Sequence, residues 1–375
     1  MGWERPYDDP VAGGDPEIRL AGIPVQFPLS GLLGMLVIAF LWTPNFTGSS
    51  AAPDWMLGLA FAAFFALTVL IHEFSHALTA RALGYPVRRV VLHFLGGFTQ
   101  FDRIKTAPWR EAAIAASGPL ATFLVALVAY LIGGALPDGS AGQAVAYALA
   151  WANLLMGAYN ALPGLPLDGG AFVRCVIWAV TGSEERGTNA TAVIGRVVAV
   201  LTLALPAYLI ARFGVYTGSL VVLTFSAVVA WTLWTGASSQ QRYSAIRNRA
   251  AGLTAGGLAR PAIPVAPSLP LAEAVRQATA AGAGALVVVD PEGRVTGIGQ
   301  QDAIAAVPED RRAWVQVASV SRPWDPAAMI DGRTSGEELL TELGNRGRTE
   351  LLVLDPDGHI AGVLLVADVE AALRT

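Results

Sequence analysis

Residues 55–83 have the sequence WMLGLAFAAFFALTVLIHEFSHALTARAL. The stretch begins with a long apolar run and then places His72, Glu73 and His76 close together. A helix of about 20 apolar residues is long enough to cross a bilayer. The stretch therefore predicts a membrane-spanning helix. Its ionisable residues also mark a functional segment, because such residues are costly inside a membrane.

The composition of the whole chain agrees with a membrane protein. Of its 375 residues, 54% are apolar and only 14% are charged, and the mean hydropathy is +0.50. Ordinary soluble domains carry about 25% charged residues, so a single soluble domain is excluded. The net charge of −4 argues against a nucleic-acid binder. A single cysteine, Cys175, excludes a disulfide framework and a cysteine-ligated zinc site.

Six apolar segments are long enough to span a membrane, and they predict a polytopic α-helical membrane domain. They cover residues 25–42, 55–83, 111–136, 143–162, 191–211 and 216–235. Arg and Lys concentrate in the loops after segments two and four and in the tail after segment six, whereas the alternate loops hold only Arg212. Because basic loops face the cytoplasm, we expect a multi-pass protein of the cell membrane with both termini cytoplasmic.

The placement of charge also predicts the domains. We expect a polar cytoplasmic tail over residues 1–24, a membrane domain over 25–236, a linker over 237–270 and a soluble domain over 271–375. The soluble domain contains an internal repeat, because residues 285–297 match residues 350–362. Each copy has an apolar strand, a D-P-x-G turn and a second strand, with helical patterns on either side. Two such α/β units in tandem predict a shared core.

The His-Glu-x-x-His pattern is typical of a zinc site. In a helix, His72 and His76 lie on one face with Glu73 beside them. Neutral imidazoles bind zinc, and the carboxylate is then placed to act as a base. A polar cluster that binds one helix to another is the alternative. Two histidines leave zinc without a third protein ligand, which must be a carboxylate or another histidine. Asp168 is expected at a similar membrane depth, although it could instead cap a loop.

Residues 90–101 contain Gly96 and Gly97 between aliphatic and aromatic side chains. The pattern predicts either a sheet edge that pairs with an extended substrate or a plain re-entrant turn.

Together, His-Glu-x-x-His in one span and the later segment from Asn160 to Gly169, with the pattern N-x-x-P-x-x-P-x-D-G, resemble the site-2 protease family of intramembrane zinc metalloproteases. The resemblance covers about residues 20–235. It implies one zinc ion per chain held by His72, His76 and Asp168, with Glu73 as general base. It also implies that Asn160 lies near the substrate or its oxyanion, and it favours substrate contact at Gly96 and Gly97.

The soluble domain resembles a tandem pair of cystathionine-β-synthase (CBS) domains, which often bind adenine nucleotides. Asp302 and Asp368 stand at about the positions where that family holds an acidic ligand residue, but Gly299 and Leu365 replace the expected hydroxyl. A nucleotide site is therefore one reading. A ligand-free docking module or homodimerisation module is the other.

These patterns predict an intramembrane zinc endopeptidase that cleaves near the cytoplasmic face. By resemblance, its partner is a single-span membrane protein, such as an anti-sigma factor or a membrane-tethered regulator, and its role is regulated intramembrane proteolysis. The alternative is a CBS-gated transporter or metal sensor whose His, Glu and Asp side chains form an ion path. Glu73 favours hydrolysis, because transport requires ligands but no base.

Overall fold

A computed structural model describes residues 17–46, 53–93, 96–101, 107–215, 218–325, 328–346 and 348–374. The chain divides into two compact units, one ending at Arg242 and the other running from Tyr243 to Thr375.

Seven helices form most of the first unit. They are α1 (Leu29–Trp42), α2 (Asp54–Ala82), α3 (Pro108–Ala135), α4 (Ala141–Asn160), α5 (Asp168–Thr181), α6 (Glu184–Phe213) and α7 (Ser219–Ala250), of which α7 continues into the second unit. Each of the six predicted segments contains most of one helix within the described residues, although the first segment begins in a β-strand at residues 25 and 26. Within the described residues, five helices have the length and hydropathy of a membrane span: α1 with its 3₁₀ extension, α2, α3, α6 and α7. The chain is thus a multi-pass membrane protein, and α4 is not among these five helices.

A small sheet packs against α2. Its strands β1 (Glu17–Leu20), β2 (Ile23–Gln26), β3 (Val87–His93) and β4 (Gly96–Phe101) lie in that order, so β4 is at one edge. Ala21 and Gly22 both have positive φ and form the tight turn between β1 and β2. Ile23, Val25 and Val90 are buried against Ala77 of α2. Residues 17–24 of the expected polar tail are therefore sheet and turn, while residues 1–16 lie outside the described part.

The segment after α4 contains a helix that the sequence reading did not predict. Asp168 begins α5, whose helical turns continue for 14 residues. The preceding loop lies backbone to backbone against its neighbours. A Cβ atom added to Gly170 would lie 2.2 Å from the carbonyl carbon of Gly164, and one on Gly195 of α6 would lie 1.9 Å from the oxygen of Leu165. Glycine at these positions lets the loop pack tightly beside Asp168.

In its described residues, the second unit contains two sheets and, after the end of α7, five α-helices. Strands β5 (Ala262–Val265), β6 (Ala285–Val289), β7 (Val295–Gly299) and β8 (Ser321–Pro323) form one sheet, and β9 (Met329–Asp331), β10 (Glu350–Leu354) and β11 (Ile360–Leu365) form the other. The helices are α8 (Ala255–Leu258), α9 (Leu271–Ala280), α10 (Gln301–Ala306), α11 (Gly336–Arg346) and α12 (Val366–Arg374).

Both repeats of this unit contribute to one apolar cluster. Val287 and Ile298 of the first repeat pack with Leu352, Val363 and Leu365 of the second, as the tandem pattern predicts. The expected linker over 237–270 is largely regular structure: it contains the end of α7, all of α8 and strand β5. Gly256 in this stretch packs closely, since a Cβ atom there would lie 3.1 Å from the oxygen of Gly332.

Candidate metal centre

Three side chains from two helices meet inside the first unit, which is called the membrane unit below. His72 and His76 lie one turn apart on α2, and both are buried. Their Nε2 atoms are 3.3 Å apart. Oδ2 of Asp168, at the start of α5, lies 3.1 Å from Nε2 of His72 and 3.4 Å from Nε2 of His76. The structure thus brings together the three residues that the sequence reading named as ligands.

The Nδ1 atom of each imidazole, here called the outer nitrogen, forms a hydrogen bond with α3. Nδ1 of His76 lies 2.7 Å from the carbonyl oxygen of Ile114, which can only accept, so Nδ1 carries the proton. Nδ1 of His72 lies 2.8 Å from the hydroxyl of Thr122, whose own proton goes to the carbonyl of Gly118 at 3.0 Å. The hydroxyl therefore accepts from His72. These hydrogen bonds assign both histidines the tautomer with a lone pair on Nε2.

With both imidazoles neutral, as metal ligands must be, two lone pairs and a carboxylate oxygen face one another. Oδ2 of Asp168 is buried, and its polar contacts in the described residues are the two Nε2 atoms. Ligand atoms about 2.0–2.1 Å from a tetrahedral zinc ion would be separated by about 3.3–3.4 Å. The observed edges of 3.1, 3.3 and 3.4 Å match this triangle. The donor set and its spacing therefore fit zinc, and the arrangement of the outer nitrogens is typical of metal-ligating histidines.

Glycine on α3 makes room for the histidines. A Cβ atom at Gly118 would lie 2.3 Å from Nε2 of His76 and 2.7 Å from Cε1 of His72. Contacts this short do not occur between side chains, so α3 approaches the imidazoles closely only because residue 118 has no side chain. The same helix thus supplies the space and both outer hydrogen-bond partners.

Glu73 follows His72 on α2 and is buried beside the centre. The hydroxyl of Thr99, on β4, lies 2.9 Å from both the backbone oxygen and Oε2 of Glu73. A Cβ atom on Gly97 would lie 2.4 Å from Cγ of Glu73. The sheet therefore contacts Glu73 directly, and β4 reaches this distance because residue 97 is glycine.

The remaining predicted site residues have different positions. Gly96 begins β4 opposite His93 and has φ +139°, a conformation that favours glycine. Asn160 is the last residue of α4 and is half-buried. The roles of Gly96, Gly97 and Asn160 in substrate binding stay predictions.

Sequence reasoning missed the two threonines and a buried ion pair. Thr122 follows His72 by 50 residues and Thr99 follows Glu73 by 26, and nothing in their local sequence connects them. Arg174 was counted as a loop charge, but it is buried on α5 and bound to Glu111 and Glu184. An arginine and a glutamate within apolar segments are the signals that suggest such a pair.

The comparisons with known proteins agree with this geometry. The model of "Peptidase family M50" matches residues 60–145 and 139–205, which include all three donor residues. A protein from Synechocystis sp. with a provisional zinc-metalloprotease assignment, sll0528, is 25% identical over 92% of this chain and 90% of its own length. A transporter or metal sensor is not favoured by these similarities.

Two solved structures are also similar. The site-2 protease from Methanocaldococcus jannaschii has 22% sequence identity and a TM-score of 0.44, over 60% of this chain and 95% of its own. The CBS-domain protein ATU1752 from Agrobacterium tumefaciens has 22% identity and a TM-score of 0.24, over 30% of this chain and 84% of its own.

The family match covers the helices that hold the metal centre, and the Synechocystis relative extends along nearly the whole chain. Over residues 60–205 the chain is therefore similar to peptidase family M50, and this match, together with zinc-metalloprotease relatives that align along nearly the whole chain, identifies it as a membrane zinc metalloendopeptidase.

Proposed function

We propose that His72, His76 and Asp168 hold one zinc ion per chain and that Glu73 is the general base of peptide hydrolysis. The triangle of two imidazole lone pairs and one carboxylate oxygen carries this proposal. Zinc held there would polarise the scissile carbonyl and activate a water molecule.

Glu73 moves the proton. It would take a proton from the attacking water and deliver it to the leaving amine. Glu73 would thus act first as general base and then as general acid. The hydroxyl of Thr99 fixes the carboxylate from the side of β4. Because Glu73 is adjacent to a ligand but outside the donor triangle, we expect its removal to stop chemistry and to leave zinc bound.

The edge position of β4 supports a site for the substrate backbone. A peptide added alongside β4 would pair with its free edge as another strand, next to Gly96 and Gly97. A transmembrane helix has its backbone hydrogen bonds satisfied internally, so it must unwind before it can pair in this way. We infer that the substrate is a single-span membrane protein, such as an anti-sigma factor or membrane-tethered regulator, cleaved in regulated intramembrane proteolysis. Asn160 would contact it near the scissile bond.

We propose that α4 is the sixth membrane span and that both termini are cytoplasmic in the cell membrane. α4 is 20 residues long, enough to cross the hydrocarbon core. Its polar residues, such as Gln143 and Asn153, lower its mean hydropathy. Asn153 is fully buried, so it faces protein. The asymmetry of Arg between alternate loops supports the orientation.

We propose that the CBS pair modulates activity and contributes no catalytic group. In each repeat, a position considered for nucleotide binding is engaged in contacts within the protein. Asp368 is held by Arg260 through two hydrogen bonds of 2.7 Å, which raise the pKa of the Arg260 guanidinium. A Cβ atom on Gly299, in the first repeat, would lie 3.1 Å from Cβ of Leu286, which leaves little room for a hydroxyl side chain. These contacts support docking or dimerisation. Calorimetric titration of the full-length protein with ATP, ADP and AMP tests the nucleotide alternative.

The function is tested by co-expressing the wild type or Glu73→Gln with a library of single-span proteins. We expect uncleaved substrates to accumulate with Glu73→Gln, because loss of a general base lowers rates by about 10²–10⁴-fold. Glu185→Gln is the matched control, since Glu185 is exposed at the start of α6. Cleavage by Glu73→Gln at the wild-type rate would exclude Glu73 as the general base.

A further inference from the structure

A second cluster of charge is buried in the membrane unit, and it contributes nothing to the donor triangle. Arg174 of α5 and Glu111 of α3 are each 8% exposed. The guanidinium lies 2.5 Å from Oε2 of Glu111 and 2.7 Å from Oε1 of Glu184, at the start of α6. Burying such charges has a large desolvation cost, which their mutual attraction only partly offsets. A hydrophobic contact would hold the helices together without this cost, so the cluster calls for a specific role.

The helices joined by Arg174 and Glu111 are those that assemble the metal centre. α5 begins with Asp168, six residues before Arg174. On α3, Glu111 precedes Ile114 by three residues, and the carbonyl of Ile114 holds His76. Gly118 and Thr122 continue along α3 toward the same imidazoles. The ion pair therefore connects the helix that carries the carboxylate donor with the helix that orients both imidazole donors.

We infer that the Arg174–Glu111 pair is a positioning device that sets the distance between Asp168 and the two histidines, and so the geometry of the metal centre. The inference rests on the proposed assignment of these three residues as ligands. A charged pair suits this task better than an apolar contact. Its geometry is directional, because the guanidinium presents its donors in a fixed plane, whereas apolar side chains repack when a helix slides.

The second partner of Arg174 provides an internal comparison. α5 and α6 already meet through their backbones, since a Cβ atom on Gly187 would lie 2.5 Å from the carbonyl oxygen of Arg174. Losing the charge of Glu184 leaves that contact in place, and α6 contributes no donor to the triangle. Glu111 and Glu184 thus bind one guanidinium. Only Glu111 links it to α3, the helix that hydrogen-bonds both imidazoles.

The test compares Glu111→Gln with Glu184→Gln in the purified full-length protein. Zinc affinity is measured by competition with a chromophoric chelator, and the Co²⁺-loaded protein is examined by visible absorption, which reports ligand geometry. We expect Glu111→Gln to weaken zinc binding by about tenfold, the lower end for residues that orient metal ligands, and to change the cobalt spectrum. Glu184→Gln should lower Tm with little change in the spectrum, and Glu111→Asp should restore part of the wild-type spectrum.

Two further results decide the inference. Equal losses of Tm in Glu111→Gln and Glu184→Gln with wild-type spectra in both would overturn it and leave a purely structural ion cluster. If Glu111→Gln does not fold, Arg174→Lys, which keeps the charge but not the planar geometry, must change the spectrum for the inference to stand. Asp168→Asn separates the two proposals: an unchanged spectrum for that variant would contradict the ligand assignment itself, whatever Glu111→Gln does.

Discussion

Two groups of three potential metal ligands occur in the described residues, both made of His and Asp, and they differ in burial and in the partners of their donor atoms. His72, His76 and Asp168 lie inside the membrane unit, whereas Asp355, Asp357 and His359 lie at the turn between β10 and β11. In the first group, Nδ1 of each imidazole has a hydrogen-bond partner, and the two Nε2 atoms converge on Asp168. In the second, Asp357 and His359 are exposed.

The carboxylate at the turn already has a structural role. Oδ1 of Asp355 accepts hydrogen bonds from the backbone N–H groups of Asp357 and His359, at 2.9 and 2.8 Å. This is the usual work of an aspartate in a turn. In the first repeat, Asp290 makes the equivalent bonds to Glu292 and Arg294, and there the bonds from Arg294 lower the pKa of its carboxyl group. Proximity of ligand types therefore does not define a metal site. A metal site is indicated when the donor atoms converge on one point and have no other partner.

The largest effect that tests this comparison is expected from Asp168→Ala. Losing one of three protein ligands should weaken zinc binding by more than about 100-fold, beyond the range for residues that merely orient ligands. Metal analysis of the purified protein measures it. Asp355→Ala is the matched control, because it removes the same side chain from the exposed group and should leave zinc at the wild-type level. Full zinc occupancy in Asp168→Ala would remove Asp168 from the ligand set.

An intermediate effect is expected at Thr122. Thr122→Val preserves the shape of the side chain but removes the acceptor for Nδ1 of His72, so zinc affinity should fall by about 10–100-fold. Thr122→Ser keeps the hydroxyl and should bind zinc nearly as well as the wild type. Chelator competition on both variants measures the difference. Equal affinities of the valine and serine variants would show that the hydroxyl does not orient His72.

The smallest effect is expected at the turn. Asp355→Ala leaves two backbone N–H groups without their acceptor, and exposed hydrogen bonds of this kind contribute about 1 kcal/mol. Thermal unfolding should therefore detect a small loss of stability in the second unit. Asp357→Ala removes an exposed carboxylate and should have less effect on unfolding than Asp355→Ala. If Asp355→Ala instead lost zinc, the distinction between the two groups would fail.

The sequence was informative where the signal is local. Apolar length predicted the helices, and the spacing of His72 and His76 predicted their common face. The repeat predicted the shared core of the second unit. These inferences succeed because hydropathy, helical period and turn chemistry are properties of neighbouring residues.

The sequence was less informative where function depends on contacts between distant segments. The segment before Asp168 has the residues of a loop, among them Pro163 and Pro166. The helix α5 that follows it was missed. Its acidic first turn was the available sign. Arg196 of α6 hydrogen-bonds Gln241 of α7, and nothing in its local sequence indicates that partner. Thr99 and Thr122 have no signature of their own, because a hydroxyl gains its role only from what folding places beside it.

Gly118 has a consequence for how mutations at this centre should be interpreted. An added methyl group would lie 2.3 Å from Nε2 of His76, so Gly118→Ala would displace the donor atom by steric contact alone. It would alter neither charge nor hydrogen-bonding groups. The centre is therefore vulnerable at a position that has no functional group, and surveys restricted to ionisable or polar residues would overlook it.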